Sequence, residues 1–361
     1  MPHYKFSDLA YNITDKKMPE PGDERTYIGL EHLDSGSLAV TRWGGEIELK
    51  GQKLVMKKGD ILFGRRNTYL RRAAIAPHDG IFSAHGMIFR PKTEVIDPDF
   101  FPFFIASDYF MNAAIRISVG SLSPTVNWKT LKELEFEIPS LEQQRETAKI
   151  LKAANELKES YQALLLKTDD LVKSQFIELF GDPVANTKGW VVKHLPDVSE
   201  NLDSRRIPIT SGSRKVGQYP YYGASGIVDY VEEYIFDEDL LLISEDGANL
   251  LARVTPIAFP SSGKVWVNNH AHVVRFSNAF TQCYVENLLN MIDISHYVTG
   301  TAQPKLNQAK LNTIPIPDPP AELQKQFAAI VKQSDKSKFE LKQAIEGVDL
   351  LIKSLIQQEL N

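Results

Sequence analysis

The chain has 361 residues, 43% of them hydrophobic and 24% charged, with a formal net charge of −5. That length suits two or three domains, each with its own core, and no run of about 18 apolar residues exists to form a membrane span. A single cysteine, Cys283, excludes an internal disulfide and a thiolate metal site built by this chain alone. The N-terminus, Met1-Pro2-His3-Tyr4-Lys5-Phe6-Ser7-Asp8, lacks the apolar core of a signal peptide, so a reducing, cytoplasmic setting is expected.

Residues 1–139 read as a mixed α/β domain. Strands are predicted at Asp60-Ile61-Leu62-Phe63, Met87-Ile88-Phe89 and Leu134-Glu135-Phe136-Glu137-Ile138, with a short helical pattern at 102–116. After the first strand comes Gly64-Arg65-Arg66-Asn67-Thr68-Tyr69-Leu70-Arg71-Arg72. Arginine can bond guanine bidentately, asparagine can do so with adenine, and threonine or tyrosine can reach phosphate. Arg65, Arg66, Asn67, Tyr69, Arg71 and Arg72 are therefore candidate DNA contacts.

Residues 140–180 predict one long helix. Apolar side chains fall at Ile150, Ala154, Leu157, Tyr161, Leu164, Leu171, Val172, Phe176 and Leu179, mostly three or four apart, with Ser140 as N-cap and Gly181-Asp182-Pro183 as the stop. A second globular part, 181–319, carries predicted strands at Leu240-Leu241-Leu242-Ile243, Val265-Trp266-Val267, Ala271-His272-Val273-Val274 and Thr313-Ile314-Pro315-Ile316, and a helical pattern at 281–298. Residues 320–361 repeat the long helix, with Phe327, Ile330, Val331, Leu341, Ile345, Val348, Ile352, Leu355 and Ile356 as its apolar positions and Gly347 as its one flaw, a cost of roughly 1 kcal/mol against alanine. Each helix would be roughly 55–60 Å long at 1.5 Å per residue. Its apolar spacing near 3.5 makes an antiparallel coiled coil of the two the simplest burial; packing of each helix on its own domain is the alternative.

In the second part, the basic residues Arg205, Arg206, Arg214 and Lys215 stand together without an acid between them, just before Tyr219-Pro220-Tyr221-Tyr222-Gly223-Ala224-Ser225-Gly226. Basic charge interleaved with aromatics and glycines suits a nucleic-acid surface despite the negative total. Arg205, Arg206, Arg214, Lys215, Tyr221, Tyr222 and Ser225 join the candidates, although one of the two tyrosines reads equally well as a half-buried strand residue. Residues 229–246 hold eight acids and no base.

The two halves are copies. Val119-Gly120-Ser121-Leu122-Ser123-Pro124-Thr125-Val126-Asn127 leads through Leu131 to Pro139, Glu142, Gln144, Ala148 and Ile150. At an offset of 180 residues, Thr299-Gly300-Thr301-Ala302-Gln303-Pro304-Lys305-Leu306-Asn307 leads through Leu311 to Pro319, Glu322, Gln324, Ala328 and Ile330. A period this long denotes whole domains, not a solenoid unit. Gln303 and Lys305 complete the candidate contacts. Outside these last stretches the halves look unalike, as expected if the scaffold repeats while exposed loops read two different things.

Catalytic signatures are missing. Neither a phosphate-binding GxxxxGK[ST] loop nor a GxGxxG turn occurs. Asp318-Pro319-Pro320 lacks the aromatic of a base-flipping methyltransferase motif, since Ala321 follows, and reads as the stop before the last helix. His270 and His272 share a strand face and could face a metal, but ordinary strand histidines are the default, so no metal is expected. Glu245-Asp246 with Lys264 is a weak match to a nuclease cluster. Cys283 falls in a helical pattern.

The pattern resembles the specificity subunit of type I restriction–modification systems. It rests on Pro220-Tyr221-Tyr222-Gly223-Ala224-Ser225-Gly226-Ile227, on Asp239-Leu240-Leu241-Leu242-Ile243 with Asp246-Gly247, and on Gly300 to Asn307 leading into Ile314-Pro315-Ile316-Pro317-Asp318-Pro319-Pro320, Glu322, Gln324, Gln326 and Ile330. The first half departs from it, with Arg65-Arg66 where an acidic-glycine loop is usual. The resemblance implies a non-catalytic chain: two target-recognition domains on two long helices, each reading half of a bipartite, asymmetric double-stranded DNA site. It also implies methyltransferase subunits docked on the helices and holding S-adenosylmethionine, and a restriction subunit in the full complex. The competing readings are a protein-interaction scaffold and a DNA-processing enzyme with a duplicated DNA-binding domain.

Overall fold

The computed structural model describes residues 1–45, 48–300 and 302–360; Thr301 of the second repeat copy, Glu46, Ile47 and Asn361 lie outside the described residues. The chain forms two units, one of Met1–Gln162 with Lys342–Asn361 and one of Ala163–Leu341, so each long helix contributes to both. No helix among the described residues is long and apolar enough to cross a membrane.

In the first unit one four-stranded sheet has the order Ala10–Ile13, Met87–Pro91, Ile61–Phe63, Ala73–Ile75, all antiparallel. A second has Lys16–Lys17, Lys53–Met56, Gly80–Phe82 and Tyr27–Ile28, the last pair parallel. A two-stranded ribbon joins His3–Lys5 to Glu135–Glu137. The predicted helical stretch 102–116 is two helices, Phe101–Ala106 and Asp108–Arg116, because Ser107 turns extended and caps the second by accepting from Phe110 N at 3.1 Å. Phenylalanines dominate the core: Phe6, Phe63, Phe89, Phe104, Phe110 and Phe136 pack with Leu151, Ile356 and Leu360 of the long helices.

The second unit repeats this plan, save for one edge strand of each second sheet. Its first sheet runs Ser199–Asn201, Ala271–Phe276, Leu240–Ser244, Ala258–Ser261. Its second contains Val216–Gly223 parallel to Lys264–Val267, which in turn is antiparallel to Phe236–Asp237. The ribbon pairs Val191–Lys193 with Ile316–Asp318. Each second sheet adds one strand of its own on opposite edges, Lys16–Lys17 in one unit and Gly226–Val231 in the other. Tyr27, parallel to Ile81, thus occupies the place of Tyr221, parallel to Trp266.

The long helices are Leu141–Phe180 and Ala321–Leu360, both unbroken, Gly347 included. Ser140 caps the first as predicted: its hydroxyl accepts from Gln143 N at 3.3 Å while Gln143 Oε1 accepts from Ser140 N at 3.1 Å. One turn in, the buried Gln144 donates to Pro139 O at 2.9 Å; its copy, Gln324, donates to Pro319 O at 2.8 Å. The helices run antiparallel within each unit, with Lys158 on Asp349 in the first and Lys338 on Asp169 in the second. The first helix buries only part of the predicted set. Ala148, Leu151, Ala154, Val172, Phe176 and Phe180 are buried, whereas Ile150, Leu157, Leu164 and Leu171, expected in the coiled-coil seam, are exposed by 44–52%. The second helix buries the face predicted for it: Phe327, Val348 and Ile356 are buried and Ile330, Val331, Leu341, Ile345, Ile352 and Leu355 partly so, whereas on the first helix the heptad row faces outward.

Candidate nucleic-acid interface

The arginine loop of the first domain is a built structure. Strand Ile61–Phe63 ends at Gly64, whose N–H donates to Arg72 O at 2.9 Å and closes the loop. Asn67 and Arg71, at φ 54° and 52°, bracket a 3₁₀ turn, Thr68–Leu70, and the Thr68 hydroxyl donates to Arg65 O at 2.8 Å. The loop docks on the turn of the sequence repeat: Asn67 N donates to Pro124 O at 2.8 Å and Val126 N to Arg65 O at 2.9 Å. Arg66 is exposed, with Ser123 Oγ at 3.4 Å from its guanidinium, and Tyr69 projects to solvent. Arg65 and Arg72 are partly buried. Arg71 is committed to helix Asp108–Arg116, donating to Asn112 Oδ1 at 3.0 Å and to Asp108.

The same junction exists in the second domain with opposite charge. Asp246 bridges Lys305 as Arg66 bridges Thr125, Leu306 N donates to Glu245 O at 2.8 Å, and Gly247 N donates to Pro304 O at 3.0 Å. Glu245-Asp246-Gly247 therefore stands where Arg65-Arg66-Asn67 stands. Lys305, half-exposed, pairs with Glu245 at 3.1 Å, and Gln303 is exposed on the turn beside it.

The basic stretch of the second domain is not a free patch, because the acids that follow it in sequence face it in space. Arg205 binds Glu238 at 2.9 Å and lies over the Phe236 ring. Arg214 binds Asp229 at 3.2 Å, and Lys215, well exposed, lies 3.5 Å from Glu232. Two candidates are corrected outright. Tyr221 is 1% exposed, its hydroxyl accepts from Ile209 N at 3.0 Å, and the Arg214 guanidinium covers its ring at 4.4 Å. Arg206 is partly buried, donating to Glu245 at 2.7 Å and to Ala271 O at 2.7 Å. A strand-centre tyrosine and an arginine locked to buried carboxylates serve the core, not a ligand. Tyr222 is partly buried against Phe259, while Ser225 is exposed.

Asp203, Glu245 and His272 place their ligand-type atoms within 4.8 Å of one another. Arg206 completes them: His272 Nδ1 faces Asp203 at 2.6 Å, its Nε2 faces Leu306 O at 2.8 Å, and the guanidinium holds Glu245. Burial opposes ionisation of both carboxyls. Hydrogen bonds from His272 to Asp203 and from Arg206 to Glu245, with their charges, outweigh it and hold both below the usual carboxylate range. The donors are thus satisfied within the protein. His270, the other histidine of the pair, turns outward to Asp246 at 2.8 Å. Burial pushes the Cys283 thiol up to about 12, leaving it without nucleophilic character.

Lys264, which the sequence offers only beside Glu245-Asp246, is exposed. Lys264 sits 4.8 Å over the Tyr234 ring, which packs edge-on against Tyr219 at 5.1 Å, and among the described residues Lys264 has no carboxylate partner. These residues are up to 45 positions apart in sequence; only the second sheet brings them together.

The profile of the type I restriction modification DNA specificity domain matches residues 13–165 and 187–347. A putative type I restriction enzyme specificity subunit of Haemophilus influenzae is 36% identical over 139 residues, covering 38% of this chain and 36% of that one. The type I restriction enzyme MjaIX specificity subunit of Methanocaldococcus jannaschii is 25% identical over 298 residues, covering 72% of this chain and 63% of that one. The matched stretches thus span less than two thirds of either relative. In fold, the chain is similar to the crystal structure of a type I restriction–modification system S subunit from M. genitalium, with a TM-score of 0.58 at 15% identity over 100% of this chain and 96% of that one. A chain from a structure describing complex assembly and conformational transition of the type I R-M system gives 0.56 at 16% identity, over 100% and 97%.

Proposed function

The chain belongs to the type I restriction modification DNA specificity family, one copy of the domain in each half, and from that premise we propose that it reads a bipartite, asymmetric site in duplex DNA, one half-site per domain. The observation that carries this reading is the repeated scaffold with unlike contents. The same three sheets recur in both units, and at the same junction one domain offers Arg65-Arg66-Asn67 and the other Glu245-Asp246-Gly247. Two domains of one build but opposite loop charge suit two different half-sites. Arg66 and Tyr69 in the first domain, and Lys264 with its tyrosines in the second, supply phosphate, base-edge and stacking contacts.

Methylation and cleavage belong to partner subunits in this reading. The outward heptad row Ile150, Leu157, Leu164 and Leu171 is an exposed apolar stripe among the described residues, and it is the docking face for the helices of DNA methyltransferase subunits. S-adenosylmethionine resides in those subunits, and a restriction subunit joins the same assembly.

The test is selection from a random duplex library by the chain purified with its methyltransferase partner. The expected result is two blocks of fixed bases separated by unselected positions, with different sequences in the two blocks. Enrichment of one block alone, or of a palindrome, would overturn the reading.

A further inference from the structure

Only four residues other than glycine take a positive φ among the described residues: Asn67, Arg71, Asn186 and Arg253. Asparagine tolerates that conformation; arginine is strained in it, because its Cβ crowds the following carbonyl. The two arginines also occupy the same place in the repeated fold. Arg71 follows the turn Thr68–Leu70, beyond strand Ile61–Phe63, at φ 52° and ψ 45°. Arg253 follows the short helix Asn249–Ala252, beyond strand Leu240–Ser244, at φ 51° and ψ 32°.

Their side chains make the same reach. Arg71 donates to Asn112 Oδ1 at 3.0 Å and to Asp108, both on helix Asp108–Arg116. Arg253 donates to Leu289 O at 3.2 Å and to Ile292 O at 2.6 Å, at the end of helix Ala279–Met291. Glycine would fit either backbone without strain. What arginine adds is a forked bond that ties the end of the loop to the next helix.

We infer that the loops closed by Gly64 N on Arg72 O and by Ser244 N on Ile257 O are the equivalent reading loops of the two domains, and that Arg71 and Arg253 are their positioning residues. This rests on the proposed reading of DNA and deepens it. Arg66 lies five residues before Arg71 on a loop pinned at one end by the repeat turn and at the other by this latch. The loop's exposed side chains are held in one register while its sequence is free to differ between the domains. A loop fixed at both ends loses little conformational entropy on meeting DNA.

The experiment uses Arg71→Asn and Arg253→Asn in the full chain with its methyltransferase partner, since asparagine keeps the left-handed backbone and removes the fork. Each variant and the wild type select from the same random duplex library, and thermal melting is recorded alongside. For Arg71→Asn, base discrimination should flatten about fivefold in one block only, the scale of one or two lost hydrogen bonds. Arg253→Asn should flatten the other block. Parallel weakening of both blocks, or unchanged discrimination in both variants, would overturn the assignment. A wild type that selects no two-block site would instead defeat the reading of DNA on which it rests.

Discussion

Lys158 on the first long helix pairs with Asp349 on the second at 2.6 Å, and the copies of these residues 180 positions away, Lys338 and Asp169, form the same pair at 3.2 Å. The repeat is therefore expressed in helix-to-helix bonds, one in each unit. The copies differ in their other partners. Lys158, 11% exposed, also donates to Gly36 O at 3.0 Å, whereas Lys338 shares itself with Asp335 at 3.0 Å.

Lys158→Met should accordingly destabilise the first unit by about 1–2 kcal/mol, while Lys338→Met, at a more exposed site with a second acid nearby, should cost about 1 kcal/mol or less. Urea unfolding of the two variants measures both. A costlier Lys338 variant would show that the copies are not ranked by burial.

The arginine inside the second domain should matter more. Arg206→Ala leaves Asp203 and Glu245 without their guanidinium in a buried setting, which costs about 3 kcal/mol or more. Arg205→Ala, on an exposed pair, should cost within about 1 kcal/mol. Because both buried carboxyls are held below their ordinary range, their stabilisation is present above the unfolded-state values and lost as pH falls through the folded ones. The wild type should thus show an acid-side loss of stability, and the Arg206 variant should lose the part that Glu245 contributes while Asp203, held by His272, keeps its own.

Glu286 titrates in the opposite sense. Burial, with Asp335 nearby and Lys338 only partly compensating, pushes its carboxyl up to about 7. Its folded state holds a proton that the unfolded state has released, so stability falls as pH rises from the unfolded value toward 7 and stays reduced above it. Glu286→Gln should raise the melting temperature of the second unit at pH 8, by about 1–2 kcal/mol in free energy, and leave it unchanged near pH 4. An equal gain at both pH values would contradict the assignment.

The outward row on the first long helix separates folding from docking. Leu157→Asp and Leu164→Asp should leave melting temperature nearly unchanged, since both side chains are about half exposed, yet weaken methyltransferase binding at least tenfold. Leu151→Asp, fully buried in the first core, should instead prevent folding. Co-purification and titration of the partner distinguish the two classes.

Much of the scaffold was legible in sequence. Ser140, the stop at Gly181, both long helices and the strand at 240–244 lie where propensity and spacing put them. The repeat itself was legible only near its end, for a physical reason. Strand partners that correspond are 180 residues apart at Ile61 and Leu241 but 185 apart at Phe89 and Val274, because the loops between strands differ in length. A comparison in fixed register loses the earlier part of each domain, including the place shared by Tyr27 and Tyr221. Which face of a long helix is buried depends on the domain beneath it, so the spacing named Ala154, Val172 and Phe176 of the first helix and the buried face of the second, but also the outward row Ile150, Leu157, Leu164 and Leu171. The charges failed for the same reason. Arg206 and Arg66 look alike in sequence, and only the folded sheet shows that Glu245 neutralises the first while the second is exposed beside Ser123.

The central claim, that each domain reads its own half-site, is tested most directly by replacing residues 181–318 with the matching segment of a relative of different specificity. The hybrid is purified with the methyltransferase partner and used to select from a random duplex library. The account predicts that one block of the selected sequence changes to that of the relative while the other block is retained base for base. A hybrid that folds and alters both blocks, or neither, would contradict it.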